Sequence, residues 1–551
     1  MTATRRITPT KRSGDKRSSS VFAGTRTLLL FALRRDRIRI PVWALSISLM
    51  SMAALAAIDD SFDDPESVAQ IEVTMSSPAI VAITGPNYAP GEYTLGVMMG
   101  QRMLVWTLIA VAIMSIMLIV RHTRTEEATG RAELVRSAVV GRHASSFAAY
   151  MAVATANLAV AATVTLALGS AGADTVDWSG SLLYGAAHFA TGLFFASVAL
   201  VVVQISEFPR GVIGMGVGVV GVAFALRSAG DVAENGLSWV SPLGWGQATH
   251  VFHTDRWWPL AFLLIGALVL ALLAAMLSTR RGVGAGLRAP RPSPATASSA
   301  LTHPFGFAMR MQRGMVVGWS AGLFALGLTY GSVLPEMESF IEQFEELGAV
   351  FAEAGGATIM DSFVATIMMV LAVFASASAV LSAQRMRSEE VEGRAEPMLV
   401  AGLPRRTYYG AYVASAVLTT TVVMLAGALG FGLAGAAVVD GEVMRQTMVA
   451  AAGFIPALWV VSAVGFALVG IAPKFTAWVW ALVAYSFVTV YLGPLLDLPE
   501  WTANLTPLGH PAQYPAEEWT WWPLLILTAL AVLLIGIGAV AFRRRDFQST
   551  I

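Results

Sequence analysis

Stretches of about twenty apolar residues free of charge recur along the whole chain, as at 103–120, 260–278 and 523–542. At 1.5 Å of rise per residue, a helix of ~20 residues crosses a hydrocarbon core of ~30 Å. Hydrocarbon offers the backbone no hydrogen-bond partner, so a run of this length is read as a helix, whose amides pair within the segment. Composition agrees. Of 551 residues, 56% are apolar and 13% charged, against about 25% charged in soluble domains. The expectation is an all-α polytopic membrane protein with about twelve transmembrane helices. They are placed near 40–58, 99–120, 145–168, 181–203, 211–227, 258–278, 314–333, 361–383, 408–432, 444–470, 476–493 and 521–542.

A net charge of zero hides a strong segregation. With the N-terminus inside, 32 of the 36 Arg and Lys fall on cytoplasmic segments, while 25 of the 36 acids fall outside. The outer cations are Arg102, Arg227, Arg256 and Arg445. Positive charge marks the cytoplasmic side, so both termini are expected there. Residues 1–39 carry eleven of the cations. That basic region is too long for a cleaved signal, and 21–39 alternates apolar and arginine groups as an interfacial helix on anionic lipid does. Cysteine is absent, which removes disulfides, thiolate metal sites and cysteine nucleophiles. Three lysines stand against 33 arginines in an Ala-, Val- and Gly-rich chain, a composition that resembles high-GC actinobacterial proteins.

One charged decapeptide occurs twice. R-T-E-E-A-T-G-R-A-E spans 124–133 and R-S-E-E-V-E-G-R-A-E spans 387–396, 263 residues later. P-L-G recurs at 242 and 507, and W-W-P-L at 257 and 521. Such spacing implies two homologous six-span halves, 40–278 and 314–551, joined by a Pro/Ser/Ala-rich cytoplasmic linker at 279–313. Six is even, so the halves form a parallel repeat about the membrane normal. Each decapeptide lies in the cytoplasmic loop after the second span of its half. Its spacing suggests i,i+4 ion pairs, Glu127 with Arg131 and Glu390 with Arg394. Gly130 and Gly393 suggest a helix end or a close backbone approach, and Pro397 allows no ordinary helix to continue through it. A solvated turn would explain one copy. Two copies that kept their charges while other loops diverged suggest a surface gripped by a two-fold symmetric cytoplasmic partner.

The two six-span halves, the basic N-terminal helix, the E-E-x-x-G-R-A-E loops and the P-L-G…W-W-P segments resemble an ABC-2 type exporter permease. The similarity is greatest to single-chain permeases of actinobacterial polyketide-antibiotic (tetronasin-type) and multidrug transporters, with a type V exporter-like fold. The resemblance implies an exporter of amphipathic or hydrophobic compounds in a bacterial plasma membrane. It implies a homodimeric ABC ATPase partner that binds the ATP and Mg, with no cofactor held by this chain. The loops after spans 2 and 8 then act as coupling helices, through Glu126, Glu127, Gly130, Arg131 and Glu133, and through Glu389, Glu390, Gly393, Arg394 and Glu396. Outer re-entrant segments are implied at 231–257 and 495–521. The second and fifth spans of each half would line the substrate path. Methionine suits promiscuous apolar surfaces, so the candidates are Met99, Met103, Trp106, Met114 and Met117 in span 2. Met360, Met368, Met369 and Phe374 follow in span 8, with Trp478 and Phe487 in span 11.

The motor is not encoded here. A phosphate-binding P-loop needs G-x-x-x-x-G-K-[ST], and none of the three lysines follows a glycine. The seven histidines are scattered without a metal-ligand pattern, and no nucleic-acid partner is implied. Two other readings compete. A proton- or sodium-driven transporter can share the two-half plan, but usually carries midplane carboxylates, and the acids here sit at span ends. A membrane-embedded enzyme would need a convergent catalytic set, and none is present in the spans.

Overall fold

A computed structural model describes residues 21–546 apart from 60–64, 77, 139, 283, 288–294, 333, 335–358 and 492–498. The first twenty residues of the basic N-terminus, part of the linker and most of the loop before span 8 therefore lie outside the described residues. The chain divides into two compact units, 1–291 and 292–551. The described residues are helical and contain no strand. Eleven of the helices are long and apolar enough to cross a membrane.

The first unit opens with α1 (Thr25–Arg35) and α2 (Arg39–Asp59), followed by α3 (Pro65–Met75) and α4 (Pro78–Thr84). Then come α5 (Leu95–His122), the short α6 (Arg124–Ala128) and α7 (Arg131–Arg136), and α8 (Ala144–Gly169). The unit closes with α9 (Trp178–Ile205), α10 (Pro209–Val232), α11 (Pro242–Gln247) and α12 (Pro259–Ser278). Helix starts follow local chemistry. Thr94 and Asp177 cap α5 and α9 by accepting amides of Val97 and Gly180. Proline opens α10, α11 and α12, where its missing N–H is harmless.

The second unit contains α13 (Ser299–Thr302), α14 (Pro304–Gly331), α15 (Ile359–Val391), α16 (Ala395–Val400), α17 (Arg405–Val438), α18 (Glu442–Ile471), α19 (Val479–Ser486) and α20 (Trp522–Arg544). Helices α14 and α17 touch backbone to backbone. A Cβ on Gly327 or Gly331 would run into the main chain of Gly427 or Phe431, which is how small residues let membrane helices associate.

Both units use the same radial plan. In the first, α5 and α9 are central, with 67% and 78% of their most apolar windows buried, while α2, α10 and α12 lie at 28% or less. In the second, α15 and α18 are central at 83% and 72%, and α14 and α20 lie at 17%. The central helices carry the polar groups that hold the bundle. Ser115 of α5 donates to Asn157 of α8 at 3.1 Å, and Thr107 of α5 and Tyr184 of α9 share a 3.1 Å bond.

Two expectations change. The eleventh expected span, 476–493, is not one continuous helix among the described residues. A 3₁₀ segment (Pro473–Trp478), α19 and a π-helical turn (Phe487–Tyr491) follow one another. Pro473 starts the tight segment, and the β-branched Val488, Thr489 and Val490 crowd a helical turn. Arg227, counted as an outer-loop cation, is fully buried within α10. Its guanidinium donates to the carbonyls of Ala82 and Ile83 at 3.1 and 2.9 Å, closing the end of α4, and pairs with Asp231 at 3.3 Å.

Candidate functional site

Each decapeptide forms a helix end, a left-handed glycine and a new short helix. In the first copy Thr123 breaks α5 from α6 (φ −122°, ψ −84°), Gly130 adopts φ +73°, and α7 begins at Arg131. In the second, α15 runs unbroken through Glu389 and Glu390, and Gly393 adopts φ +69°. The Gly393 amide donates to Glu390 O at 3.0 Å and the Arg394 amide to Glu389 O at 2.9 Å. That pair of bonds closes a helix C-terminus around a left-handed residue, where glycine avoids the Cβ penalty. Of the two expected roles for these glycines, helix end is the one observed. Pro397 sits in the first turn of α16, not within a continued helix.

The expected i,i+4 pairs do not form, because the glycine turn swings the following arginine back by one more residue. Arg394 Nε donates to Glu389 at 2.6 Å and also pairs with Glu392. Arg131 lies 3.9 Å from Glu126. In both copies, then, the arginine of G-R-A-E faces the first glutamate of E-E, five residues back. The hydrogen bonds that Arg394 donates to Glu389 and then to Glu392 raise its pKa.

The second glutamate of each copy turns inward. Glu127 accepts from Arg124 at 2.7 Å and from both terminal nitrogens of Arg281 at 3.0 and 3.2 Å. Glu390 pairs with Arg387 at 3.3 Å and accepts from both terminal nitrogens of Arg545 at 2.6 and 2.5 Å. Forked arginine–carboxylate pairs of this kind fix geometry as well as charge. Arg281 and Arg545 follow the last long helix of their units, each 24 residues past the start of W-W-P-L. The decapeptide thus latches onto the end of the sixth long segment in the same way in each unit. Sequence reasoning missed these two arginines. The repeat offset that aligned the tryptophans would have aligned them too.

In the first unit the latch extends to the N-terminus. Arg35 of α1 pairs with Glu126. Asp36, almost fully buried, accepts from Arg121 at 3.0 Å, lies 2.5 Å from His122 Nε2 and 3.4 Å from Arg39. Burial pulls the Asp36 carboxyl up. The hydrogen bond and charge of His122, with Arg121 and Arg39, outweigh it and hold the group below the ordinary aspartate range. Arg124, fully buried, donates to the carbonyls of Val203 and Ala285 at 2.8 and 3.1 Å. Between α1, the loop and the start of α8 lies a cavity of about 430 Å³, lined by Arg35, Glu126, Glu127, Ser145 and Arg281.

The ten candidate coupling residues therefore separate. Glu127, Glu389 and Glu390 are engaged inside their own unit, whereas Arg131, Glu133, Arg394 and Glu396 are exposed. Beside them Leu134 and Val400 are 75% and 81% exposed. Charge reversal at Glu127 or Glu390 would therefore set a third cation against two arginines at each site and disturb folding as well as any docking.

The candidate path residues do not share one surface. Met99, Met114, Met368 and Met369 are buried in the helix cores, with Met103 and Met360 packed against them. Trp106, Met117, Phe374, Trp478 and Phe487 are exposed. Trp106 meets Phe224 at 5.9 Å between centroids. Phe374 lines an apolar groove of about 480 Å³ with Trp319 and three glycines of α14. The expected outer segment of the first unit folds back onto the bundle, with Ser241, Leu243, Gly246 and Thr249 buried. That of the second is a pair of 3₁₀ turns at Glu500–Leu505 and Pro507–Gly509.

Fold and sites together define an all-α, multi-pass membrane protein with short ion-paired helices at one end of each unit. Over 537 residues the chain is 36% identical to the multidrug efflux system permease protein Rv1217c of Mycobacterium tuberculosis, covering 96% of each chain. Residues 301–543 match the family described as multidrug efflux system permease Rv1217c, C-terminal domain. The chain belongs to this family of multidrug efflux system permeases.

Proposed function

We propose that this chain is the membrane subunit of an ATP-driven ABC-2 type exporter. It would move amphipathic or hydrophobic compounds out of the cell, drugs and antibiotics among them. A homodimeric ATPase would bind ATP and Mg and dock on the two decapeptide loops. The observation that carries the reading is the duplicated latch. Two loops that share E-E-x-x-G-R-A-E and the same ion-pair register are tied to the end of the last long helix of their unit. A push on the exposed tip (Arg131, Glu133 and Leu134, or Arg394, Glu396 and Val400) would reach Arg281 or Arg545 through the forked pair. The cavity beneath the first loop leaves it room to move. The 36% identity over 96% of each chain with a relative named a multidrug efflux system permease supports the efflux half of the proposal. The recurrence of residues at offsets of 263 to 265 supports an internal repeat of two parallel halves, 40–278 and 314–551, joined by 279–313. In this reading both termini and residues 1–39 face the cytosol, and α1 lies in the inner interface. Its exposed Phe31 and Leu30 would enter lipid.

The test is purification of the full chain from native membranes, with ATPase activity assayed on the detergent-solubilised complex. About two ATPase copies per chain and drug-stimulated turnover are expected. A chain that purifies alone, with no ATP turnover and ion-dependent transport in proteoliposomes, would overturn the ATP-driven reading.

A further inference from the structure

The two units share one more stretch of sequence. F-A-L-R-R-D-R at 31–37 recurs as F-A-M-R-M-Q-R at 307–313, in the first turns of α14. The arginines at the fourth and seventh places are kept, and Arg34, Arg37, Arg310 and Arg313 are all exposed. The acid is not kept. In the first unit Asp36 gathers Arg39, Arg121 and His122. Its counterpart in the second is Gln312, a buried neutral amide that donates to Ser415 at 2.7 Å. No ion pair among the described residues engages Arg310 or Arg313.

These two arginines line an open, apolar groove of about 1040 Å³ between α13, the start of α14 and α17, together with Met309, Gly410, Ala411 and Ala414. No acid lines it, and α13, α14 and α17 contain neither Asp nor Glu. The acids at the end of the neighbouring α15 are engaged elsewhere. Glu389 pairs with Arg385 and Arg394, and Glu390 with Arg387 and Arg545. The α17 side of the groove is built of small residues one turn apart. Gly410 has open space where a Cβ would go, and Ala414 is exposed. Two unpaired cations at i,i+3 repel each other. An anion beside them removes that cost, and the bare apolar floor calls for one that carries a hydrocarbon tail.

We propose that this groove holds an anionic phospholipid, with its phosphate at Arg310 and Arg313 and an acyl chain along Met309, Gly410, Ala411 and Ala414. The planar guanidinium fork matches phosphate oxygens, and basic pockets between membrane helices bind anionic headgroups. A free phosphate would find the arginines but leave the floor bare. That the lipid belongs to the inner leaflet rests on the orientation proposed above; the class of lipid does not.

The chain has no cysteine, so Leu418→Cys takes a single bimane label. Leu418 is exposed one turn past Ala414, beyond the groove. The labelled full chain is placed in phosphatidylcholine nanodiscs with increasing brominated phosphatidylglycerol, or brominated phosphatidylcholine as the zwitterionic control. Half-maximal quenching is expected at about fivefold less of the anionic lipid. The preference should vanish in Arg310→Gln/Arg313→Gln, which removes the charge, and in Ala414→Phe, which fills the groove, and should persist in excess inorganic phosphate. Both arginines are exposed, and thermal melts identify a variant that fails to fold; Arg313→Gln alone, expected to weaken the preference, then replaces the double variant. Equal quenching by the two lipids, as for an annular layer only, would overturn the proposal. So would a preference unchanged in the arginine variants, or one abolished by inorganic phosphate. Nanodiscs expose both leaflets and ATPase capture is scored separately, so this assignment and the exporter reading can fail independently.

Discussion

Glu390 and Glu133 belong to the same repeated pattern, yet their environments are opposite. Glu390 is 2% exposed and grips Arg545 with both oxygens. Removing one partner of a buried pair leaves an uncompensated charge, so Glu390→Gln is expected to destabilise the chain by about 3 kcal/mol, read as a lower melting temperature in detergent. Glu133 is exposed, so Glu133→Arg with Glu396→Arg should melt within about 0.5 kcal/mol of the parent while losing the co-purifying ATPase. Retention of the ATPase by that double variant would refute the docking assignment. Asp36 supplies a pH signature. Its folded-state pKa is depressed, so its stabilisation is fully present above its unfolded value of about 3.9 and is lost as pH falls through the lower folded value. Asp36→Asn should therefore lower the melting temperature near neutrality and flatten the acid side of the profile below pH 4. An acid limb identical to the parent would show that Asp36 is not the group responsible.

Among the elements, the two loops owe their shape to one backbone angle each. Gly130 and Gly393 are left-handed with open space where a Cβ would go. Their substitution therefore tests conformation and not packing. Gly393→Ala should cost about 1–2 kcal/mol and Gly393→Asn less, measured by thermal unfolding, with both failing to hold Arg394 against Glu389 as firmly. Equal melting of all three would mean that the turn is not strained by a side chain. The glycine, the following proline and the helix-stop role could be read from sequence, because they are local. The ion-pair register could not. A helix continued through Gly130 would pair Glu127 with Arg131, and only the turn moves the partnership to Glu126 and admits Arg281. The broken segment at 473–491 teaches the same lesson. Its apolar length resembles a span, while the proline and the β-branched run, visible but weak alone, decided its form.

For the whole molecule, the sequence by itself determined that the chain is helical and membrane-embedded, where most long helices begin and end, and that its parts recur at a fixed offset. These are properties of run length and charge, which hydrocarbon enforces segment by segment. It did not determine which helices are central. The most apolar helix, α12, is 22% buried, whereas the less apolar α9 is 78% buried. Lipid is as apolar as a protein core, so hydropathy does not sort the two, and helix association rests on small residues and interhelical hydrogen bonds. Cross-helix bonds draw α9 inward: Ser197 donates to Tyr150 of α8 and Tyr184 shares a bond with Thr107 of α5. The candidate path residues split for the same reason. Met114 and Met117 lie three residues apart on α5, one fully buried and one 45% exposed. Only the tertiary structure decided which methionine faces a neighbour, which glutamate of each pair is locked to a distant arginine and which tip stays free to meet a partner, because each depends on contacts between residues far apart in the chain.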